Sequence, residues 1–360
     1  MKYLSEYRNI DATKLVLDNL SKSVTRPWNI MEICGGQTHG LVKNGILELL
    51  PEHIRMIHGP GCPVCVTPLH LIDKAIELLN QGVIVCSFGD MIRVPGSQQS
   101  LLEAKAKGGD LRILYSPLEA VNIARSNPDK EVVFFAVGFE TTAPANALSV
   151  LHAQKEGLKN YSILVSHVLV PPAMEAILDD EFSSIDAFLG AGHVCAIMGY
   201  KEYHALSEKY HIPIIITGFE PLDLVQGIQM AVDQLESGNH KVANQYARVV
   251  KEEGNLNAIR IIRQVFEIGD REWRGIGMIP KSGYKLTKEF IAFDAERKFG
   301  IQGIKVDEHP SCMAGEILKG IKKPIHCPEF GKGCSPAKPL GAPMVSSEGA
   351  CSAYYNFSQY

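Results

Sequence analysis

Nine cysteines, at positions 34, 62, 65, 86, 195, 312, 327, 334 and 351, are the residues of this chain best suited to chemistry. Three lie in the first 65 residues and four in the last 49. A reducing compartment does not keep such thiols as stable disulfides, so clusters of them point to metal, redox chemistry or a nucleophile. Their distribution predicts two separate thiol sites. The N-terminal one is built from Cys34-Gly35-Gly36-Gln37-Thr38-His39-Gly40 and Gly59-Pro60-Gly61-Cys62-Pro63-Val64-Cys65. A C-x-x-C pair permits a reversible disulfide, although the same spacing also binds zinc. With Cys34 alongside, three soft thiolates would face one cleft and suit a soft or low-valent metal fragment. The other reading of Cys34 is a small buried residue at a strand end. The glycines let backbone approach a ligand closely. A helix is expected after each loop, near Gly40 and near Pro68; its N-terminus would lower a nearby thiol pKa and offer N–H groups to an anion. His39 is a proton donor, a ligand or a helix-cap partner. Cys86, in VIVCSF, and Cys195, in GAGHVCAIMGY, read as structural.

The C-terminal spacing is Cys312-x14-Cys327-x6-Cys334-x16-Cys351. Structural zinc sites come as closely spaced cysteine pairs, and none occurs here. Four thiolates on long irregular loops suit a [4Fe–4S] cluster; zinc and unliganded thiols are the alternatives. Pro328 and Pro336 stiffen these turns. His309 and His326 flank the site, either as substitute zinc ligands or as ordinary loop histidines.

The elements that must hold these residues alternate. The apolar runs Ile30–Cys34, Ile54–His58, Val83–Phe88, Leu111–Tyr115, Val132–Val137, Ser162–Ser166, Ile185–Leu189 and Ile212–Thr217 read as strands buried on both faces. Helical patterns lie between them. In Leu69–Leu79 the residues Ile72, Ala75, Ile76 and Leu79 share a face, and Leu222, Val225, Ile228, Val232 and Leu235 do so after Pro221. Such alternation predicts α/β layers with mainly parallel sheets. The strands divide into two groups of four, with Leu118–Glu131 as the crossover. VVFFAVGFETTAP and IPIIITGFEPLD hint at a duplication. After residue 235 the strand signals stop, and 239–267 reads as helix. The Gly-, Pro- and Cys-rich remainder needs a staple, which the four cysteines supply. Asp11–Leu20, capped by Asp11, reads as an N-terminal helix. The expected domains are 27–117 and 118–222, both α/β, and a loop- and helix-rich unit from 1–26 and 223–360.

Composition excludes several classes. Hydrophobic residues make up 46% and charged residues 21%, which is ordinary for a globular chain. A net charge of −4 gives no strong field for nucleic acid or an anionic membrane. No apolar run reaches transmembrane length, and the start has no signal-peptide stretch. The expectation is a soluble cytoplasmic protein.

The segments MEICGGQTHG, IHGPGCPVCV, GFETTAP, GHVCAIMGY, WRGIGMIPKSGY and MVSSEGACSAYY, with the terminal four-cysteine spacing, resemble the HypD family of [NiFe]-hydrogenase maturation proteins. The likeness runs in unbroken order from about residue 27 to the C-terminus. It is most specific in the Cys34 loop with the GPGCPVC loop, and in the four-cysteine pattern. The resemblance implies two similar α/β domains facing a cleft, plus an iron–sulfur domain. It implies a maturation scaffold with redox activity rather than a freestanding turnover enzyme. On such scaffolds an Fe(CN)2(CO) fragment is assembled as transient cargo. A HypC-type chaperone supplies its N-terminal cysteine to the iron, and a HypE-type protein delivers cyanide made from carbamoyl phosphate. By the same resemblance Cys34 is the iron ligand and Cys62 and Cys65 are the redox pair. Cys312, Cys327, Cys334 and Cys351 are then the [4Fe–4S] ligands. Many relatives have His where this chain has Gln37, so a proton carrier there would be His39 here. Glu140, Thr141 and Thr142 would close the cleft opposite Cys34 and bond the cyanides; the other reading is that Glu140 and Thr141 cap the next helix. The competing class is an iron–sulfur disulfide reductase acting on a protein substrate; a third thiol in the cleft favours the scaffold.

Overall fold

Short, mostly buried apolar runs make the central strands: β1 (Trp28–Glu32), β2 (Ile54–His58), β3 (Ile84–Ser87), β4 (Leu111–Ile113), β5 (Val132–Gly138), β6 (Tyr161–His167), β7 (Ala187–Ala191) and β8 (Ile214–Thr217); β4, at a sheet edge, departs from the expected two-faced burial, with Arg112 and Ile113 exposed. All eight correspond to the apolar runs of the sequence. The computed structural model describes residues 6–304 and 310–358. A short edge strand, β9 (Val242–Asn244), follows, and then a hairpin of β10 (Phe266–Trp273) and β11 (Gly277–Leu286).

The strands form two parallel sheets. One has the order β2-β1-β7-β8-β9 and the other β4-β3-β5-β6. By order of appearance each sheet begins 2-1-3-4, the doubly wound arrangement whose direction of winding reverses beside its first strand. The reversal lies between β1 and β7 in the first sheet and between β3 and β5 in the second. The α/β class and the likeness of the two units thus hold.

Their membership differs from the expected one. The chain leaves the first sheet after β2, builds the whole second sheet, and returns at β7. Boundaries at 27–117 and 118–222 therefore cut across both sheets. Leu118–Glu131 is not a crossover between units; the helix Pro117–Ser126 joins β4 to β5 within one sheet. The Gly-Phe-Glu repeat follows β5, third in its sheet, and β8, fourth in its own, so the two copies occupy non-equivalent positions.

Alternating strand residues feed separate layers. Val133 and Phe135 join Met31, Phe188 and Ile214 in one core between the sheets, bridged by Ile72 and Ala75 of the helix Leu69–Asn80. Phe134 and Ala136 face the other way, towards Ala147, Val150 and the hairpin's Phe266 and Tyr284. The outer face of the first sheet packs Ile30 and Leu189 against Leu17, Leu20, Leu224 and Ile228.

Three further expectations change. The N-terminal helix is Ile10–Ser23, and its cap is Asn9, whose side chain accepts from the Ala12 N–H at 3.0 Å; Asp11 sits in the first turn. Its apolar face covers the helix Pro221–Glu236, so both belong to the first α/β unit and not to a cysteine-bearing domain. The stretch 239–267 holds β9 and only one helix, Leu256–Val265. The hairpin has no counterpart in the sequence reading, because its strands alternate poorly. Glu267, Ile268 and Lys285 are exposed, and Gly275 and Gly277 turn through positive φ. It is held by the second unit, with the Leu169 N–H donating to the Ser282 carbonyl at 2.8 Å.

Asp223 fixes the β8 exit loop. Its buried carboxylate accepts from Arg248 at 2.7 and 2.6 Å, from Gln245 at 2.9 Å and from the Glu220 N–H at 3.3 Å. Removing one partner of a buried pair strands the other charge. Asp223→Ala is expected to lower stability by about 3 kcal/mol in urea unfolding. A loss below about 1 kcal/mol would mean that the loop is held by its neighbours instead.

Candidate functional site

Cys34 stands at the winding reversal of the first sheet, two residues beyond β1. It is the N-cap of the helix Gly35–Lys43, and its side chain is 1% exposed. The Cys34 N–H donates to Glu32 Oε2 at 3.0 Å. The Gly35 N–H donates to the Gly61 carbonyl at 2.9 Å, and the Gly59 N–H to the Glu32 carbonyl at 2.9 Å. These bonds zip the two cysteine loops together. A Cβ on Gly61 would fall 2.3 Å from the Cys34 backbone N and Cα, so only glycine fits there.

Glu32 is fully buried. Besides the Cys34 N–H, it accepts from the Thr38 hydroxyl, and from His58 Nδ1–H at 2.8 Å. The Tyr354 hydroxyl closes the chain on His58 Nε2 at 3.0 Å. Burial raises the Glu32 pKa, and the His58 and Thr38 bonds oppose the rise.

The residue facing the Cys34 sulfur is His193, which follows β7. Its Nδ1 and Nε2 lie 3.6 and 3.8 Å from Sγ. Phe219, after β8, stacks on the imidazole with centroids 5.1 Å apart. Burial lowers the His193 pKa to about 4, so the ring is neutral at pH 7. The Cys34 thiol is pushed up, first by burial and then by the charge of Glu348. The expected activation of Cys34 by its helix N-terminus is therefore outweighed.

Cys62 and Cys65 form a disulfide across the first turn of the helix Pro63–Val66. Both are buried, while Pro63 and Val64 face a cleft of about 490 Å³. His193 lines the same cleft, as do Asp90, Thr141 and Thr142 from the winding reversal of the second sheet, and Ser346 and Glu348 from the C-terminal segment. The two sheets thus present their reversal points to one space.

Two expected residues lie elsewhere. Glu140 turns away from this cleft into a second cavity, where its Oε1 accepts from the Val170 N–H at 2.9 Å, at the start of the helix Val170–Leu178. It caps that helix and not the next one along the chain. His39 packs edge-on against Phe357, and its Nδ1–H donates to the Ser347 carbonyl at 3.1 Å. It ties the Cys34 helix to the C-terminal segment. Gln37 is buried as well, donating to the Gly190 carbonyl and the Thr217 hydroxyl at 3.0 and 2.6 Å.

Cys312, Cys327, Cys334 and Cys351 line a single cavity whose other walls include Met313, Ile317, Phe330, Leu340 and Met344. Burial raises the Cys351 thiol pKa, and the other three thiols add to the rise. The Leu340 N–H donates to Cys334 Sγ at 3.3 Å. Four soft donors around one apolar pocket, with a backbone N–H aimed at one sulfur, fit an iron–sulfur cluster. Among the described residues, no three His, Cys, Asp or Glu side chains are gathered as a single-ion site. His326 caps its own turn by accepting from the Lys323 N–H at 3.2 Å. His309 lies outside the described residues. Cys86 and Cys195 are fully buried.

Sequence reasoning missed His193, Asp90 and Glu348. A signal for His193 was present: it follows an apolar strand and a glycine, as Cys34 follows β1.

Residues 11–358 match the family described as "HypD: Hydrogenase formation hypA family". The chain belongs to the HypD family. It is 45% identical to the hydrogenase maturation factor HypD2 of Bradyrhizobium diazoefficiens, over 100% of this chain and 98% of that protein. Identity to the hydrogenase maturation factor HypD of Rhodobacter capsulatus is 45%, covering 99% and 98%. To that of Escherichia coli it is 44%, covering 100% and 99%. Among the described residues, no helix of this HypD-family chain is long and apolar enough to cross a membrane.

Gly61→Ala should push the two cysteine loops apart. The expected cost is about 1–3 kcal/mol of stability, with faster alkylation of Cys34 by iodoacetamide. A variant that protects Cys34 as well as the parent does would show that the Gly61 contact does not hold the thiol in place.

Proposed function

We propose that this chain is a [NiFe]-hydrogenase maturation scaffold that holds an Fe(CN)2(CO) fragment as cargo at Cys34. The observation that carries this reading is the pairing of buried Cys34 with His193 at a winding reversal, where His193 lines a cleft walled by the second sheet. A thiol must lose its proton to bind metal. His193, neutral and 3.6 Å from the sulfur, would receive it only as an arriving cation makes the thiol acidic, since burial leaves the free thiol a weak acid and the imidazole a weak base. Thr141 would offer a hydroxyl group to the cyanides from the opposite wall, whereas the Thr142 hydroxyl donates to the Phe139 carbonyl at 3.2 Å. The cleft is open enough to admit a second thiolate, which a HypC-type chaperone would bring; Tyr115, 93% exposed, stands at its edge. A HypE-type protein would deliver cyanide to the same opening. A cytoplasmic setting suits these partners.

Cys312, Cys327, Cys334 and Cys351 would hold a [4Fe–4S] cluster, which supplies single electrons when bound. Reduction of the Cys62–Cys65 disulfide takes two electrons and two protons and leaves two thiols. The short chain from Ser346 to Cys351 supports a link between the sites. Ser346 bonds Asp90 at 3.0 Å, the Glu348 backbone packs on Gly35, and Cys351 faces the cluster cavity.

Infrared spectroscopy of the chain co-purified with its chaperone should show bands of metal-bound cyanide and CO. Cys34→Ala should lose them and keep the visible absorbance of an iron–sulfur cluster. Full bands in the variant would remove Cys34 from the ligand set, and their absence from the parent complex would favour the disulfide reductase.

The pair Cys62 and Cys65 is expected to cycle. Mass spectrometry of alkylated peptides should find a disulfide in the air-exposed chain that dithiothreitol reverses. A pair that stays reduced at cytosolic glutathione potentials, about −220 to −320 mV, would refute the redox role.

A further inference from the structure

His193 faces the Cys34 sulfur without the usual support. An imidazole that handles a proton is ordinarily aimed by a hydrogen bond to its second ring nitrogen. Here both nitrogens lie beside the same sulfur, at 3.6 and 3.8 Å, and among the described residues the ring has no other hydrogen-bonding partner. Its orientation must therefore come from packing.

That packing comes in two steps. Phe219 stacks on the imidazole, with centroids 5.1 Å apart and planes 22° apart. Tyr246 then meets Phe219 edge-on, with centroids 6.1 Å apart and planes at 85°. Edge-to-face contact is one of the arrangements that the aromatic quadrupole favours. Tyr246 also presses on the backbone of both loops. A Cβ on Gly192, the residue before His193, would fall 2.7 Å from its Cδ1, and one on Gly218, before Phe219, 2.8 Å from its Cδ2. Neither glycine has a positive φ, so close approach, not turning, demands glycine there. The Thr217 carbonyl and the Asp223 carboxylate close the same two positions. Tyr246 is itself anchored. The Gln245 N–H donates to the Ile216 carbonyl at 2.9 Å, and the Val249 and Val250 N–H groups both donate to the Tyr246 carbonyl at 3.0 Å. The Arg248 guanidinium, gripped by Asp223, lies over the Tyr246 ring at 4.4 Å from its centroid.

We propose that Tyr246 is a positioning residue: through Phe219, and through the loops of Gly192 and Gly218, it holds the His193 imidazole against Cys34. The contacts are made by its ring, so the hydroxyl is dispensable. The consequence for metal binding rests on the scaffold reading, in which His193 receives the thiol proton as the cation arrives. The placement of the imidazole does not depend on that reading.

Nuclear magnetic resonance of the full chain, isotope-labelled at histidine and cysteine, tests this. The readout is the Overhauser contact between the His193 ring and the Cys34 methylene, with His193→Gln assigning the signal. In Y246L the contact should weaken severalfold while circular dichroism keeps the parent spectrum, and F219L should do the same. Y246F should retain it. Y246M, whose flexible side chain fills irregular space, serves if Y246L does not fold. In the complex with the chaperone, the cyanide and CO bands should build up severalfold more slowly in Y246L and at the parent rate in Y246F. A merely structural Tyr246 would lower the melting temperature of Y246L and leave the His193–Cys34 contact at parent strength; that result overturns the proposal. So does a loss of the contact in Y246F equal to that in Y246L. The contact is read in the chain without cargo, so it decides the positioning role by itself; a parent complex without cyanide and CO bands refutes the scaffold instead.

Discussion

The Glu32 carboxylate, buried with every oxygen engaged, is the interaction on which the Cys34 site depends. A carboxylate in so dry a place is tolerated only when its lone pairs are met. Here they are met by groups from two parts of the chain: the Cys34 N–H and Thr38 hydroxyl from the following helix, and His58 from the end of β2. His58 in turn meets Tyr354, on the C-terminal helix Ala350–Phe357. One acid thereby sets where the cysteine loop turns, how the C-x-x-C loop lies beside it, and where the cysteine-rich segment docks. The β1–β2 register, which pairs Glu32 with His58, is what makes the bond reachable.

The same docking joins what the cysteine distribution suggested were two independent sites. They are separate in chemistry but share structure. Cys351 lies three residues before Tyr354 on the same helix, while Ser346, Ser347 and Glu348 touch Asp90, His39 and Gly35. A displacement of the C-terminal segment would therefore move both the Cys34 helix and one wall of the four-cysteine cavity. His39, expected at the chemistry, serves this docking instead.

Local signals carried the sequence reading as far as they exist. Apolar runs marked all eight central strands, because all but the edge strand β4 are largely buried. The Gly-rich cysteine loops and the four spaced cysteines were visible because chemistry of that kind needs particular residue types. Sheet membership was not visible. β1 pairs with β7 across an entire inserted sheet, and nothing local in Trp28–Glu32 or Ala187–Ala191 encodes that partner. The hairpin β10–β11 was missed because its exposed, charged strands lack clean alternation. Glu140 was aimed at the wrong space for a related reason. Residues 140–142 form the turn that follows β5, and in it Thr141 and Thr142 reach the cleft while Glu140 lines the other cavity. A motif names both residues without saying which way either points.

The protonation of Cys34 runs against the simplest picture of a reactive thiol. A helix N-terminus lowers a thiol pKa by a modest field that weakens within the first turn. Full burial, with Glu348 and Glu32 nearby, raises it by more. Oxidation and alkylation need the thiolate, so a thiol in this setting is sheltered until something replaces its proton. A metal cation does so directly, bringing positive charge into a pocket whose own acids disfavour a bare thiolate. Burial beside acids is thus a poor design for a free nucleophile and a sound one for a metal ligand. It is the feature that most sharply separates the scaffold reading from that of a thiol-exchange enzyme, in which the attacking sulfur must ionise unaided.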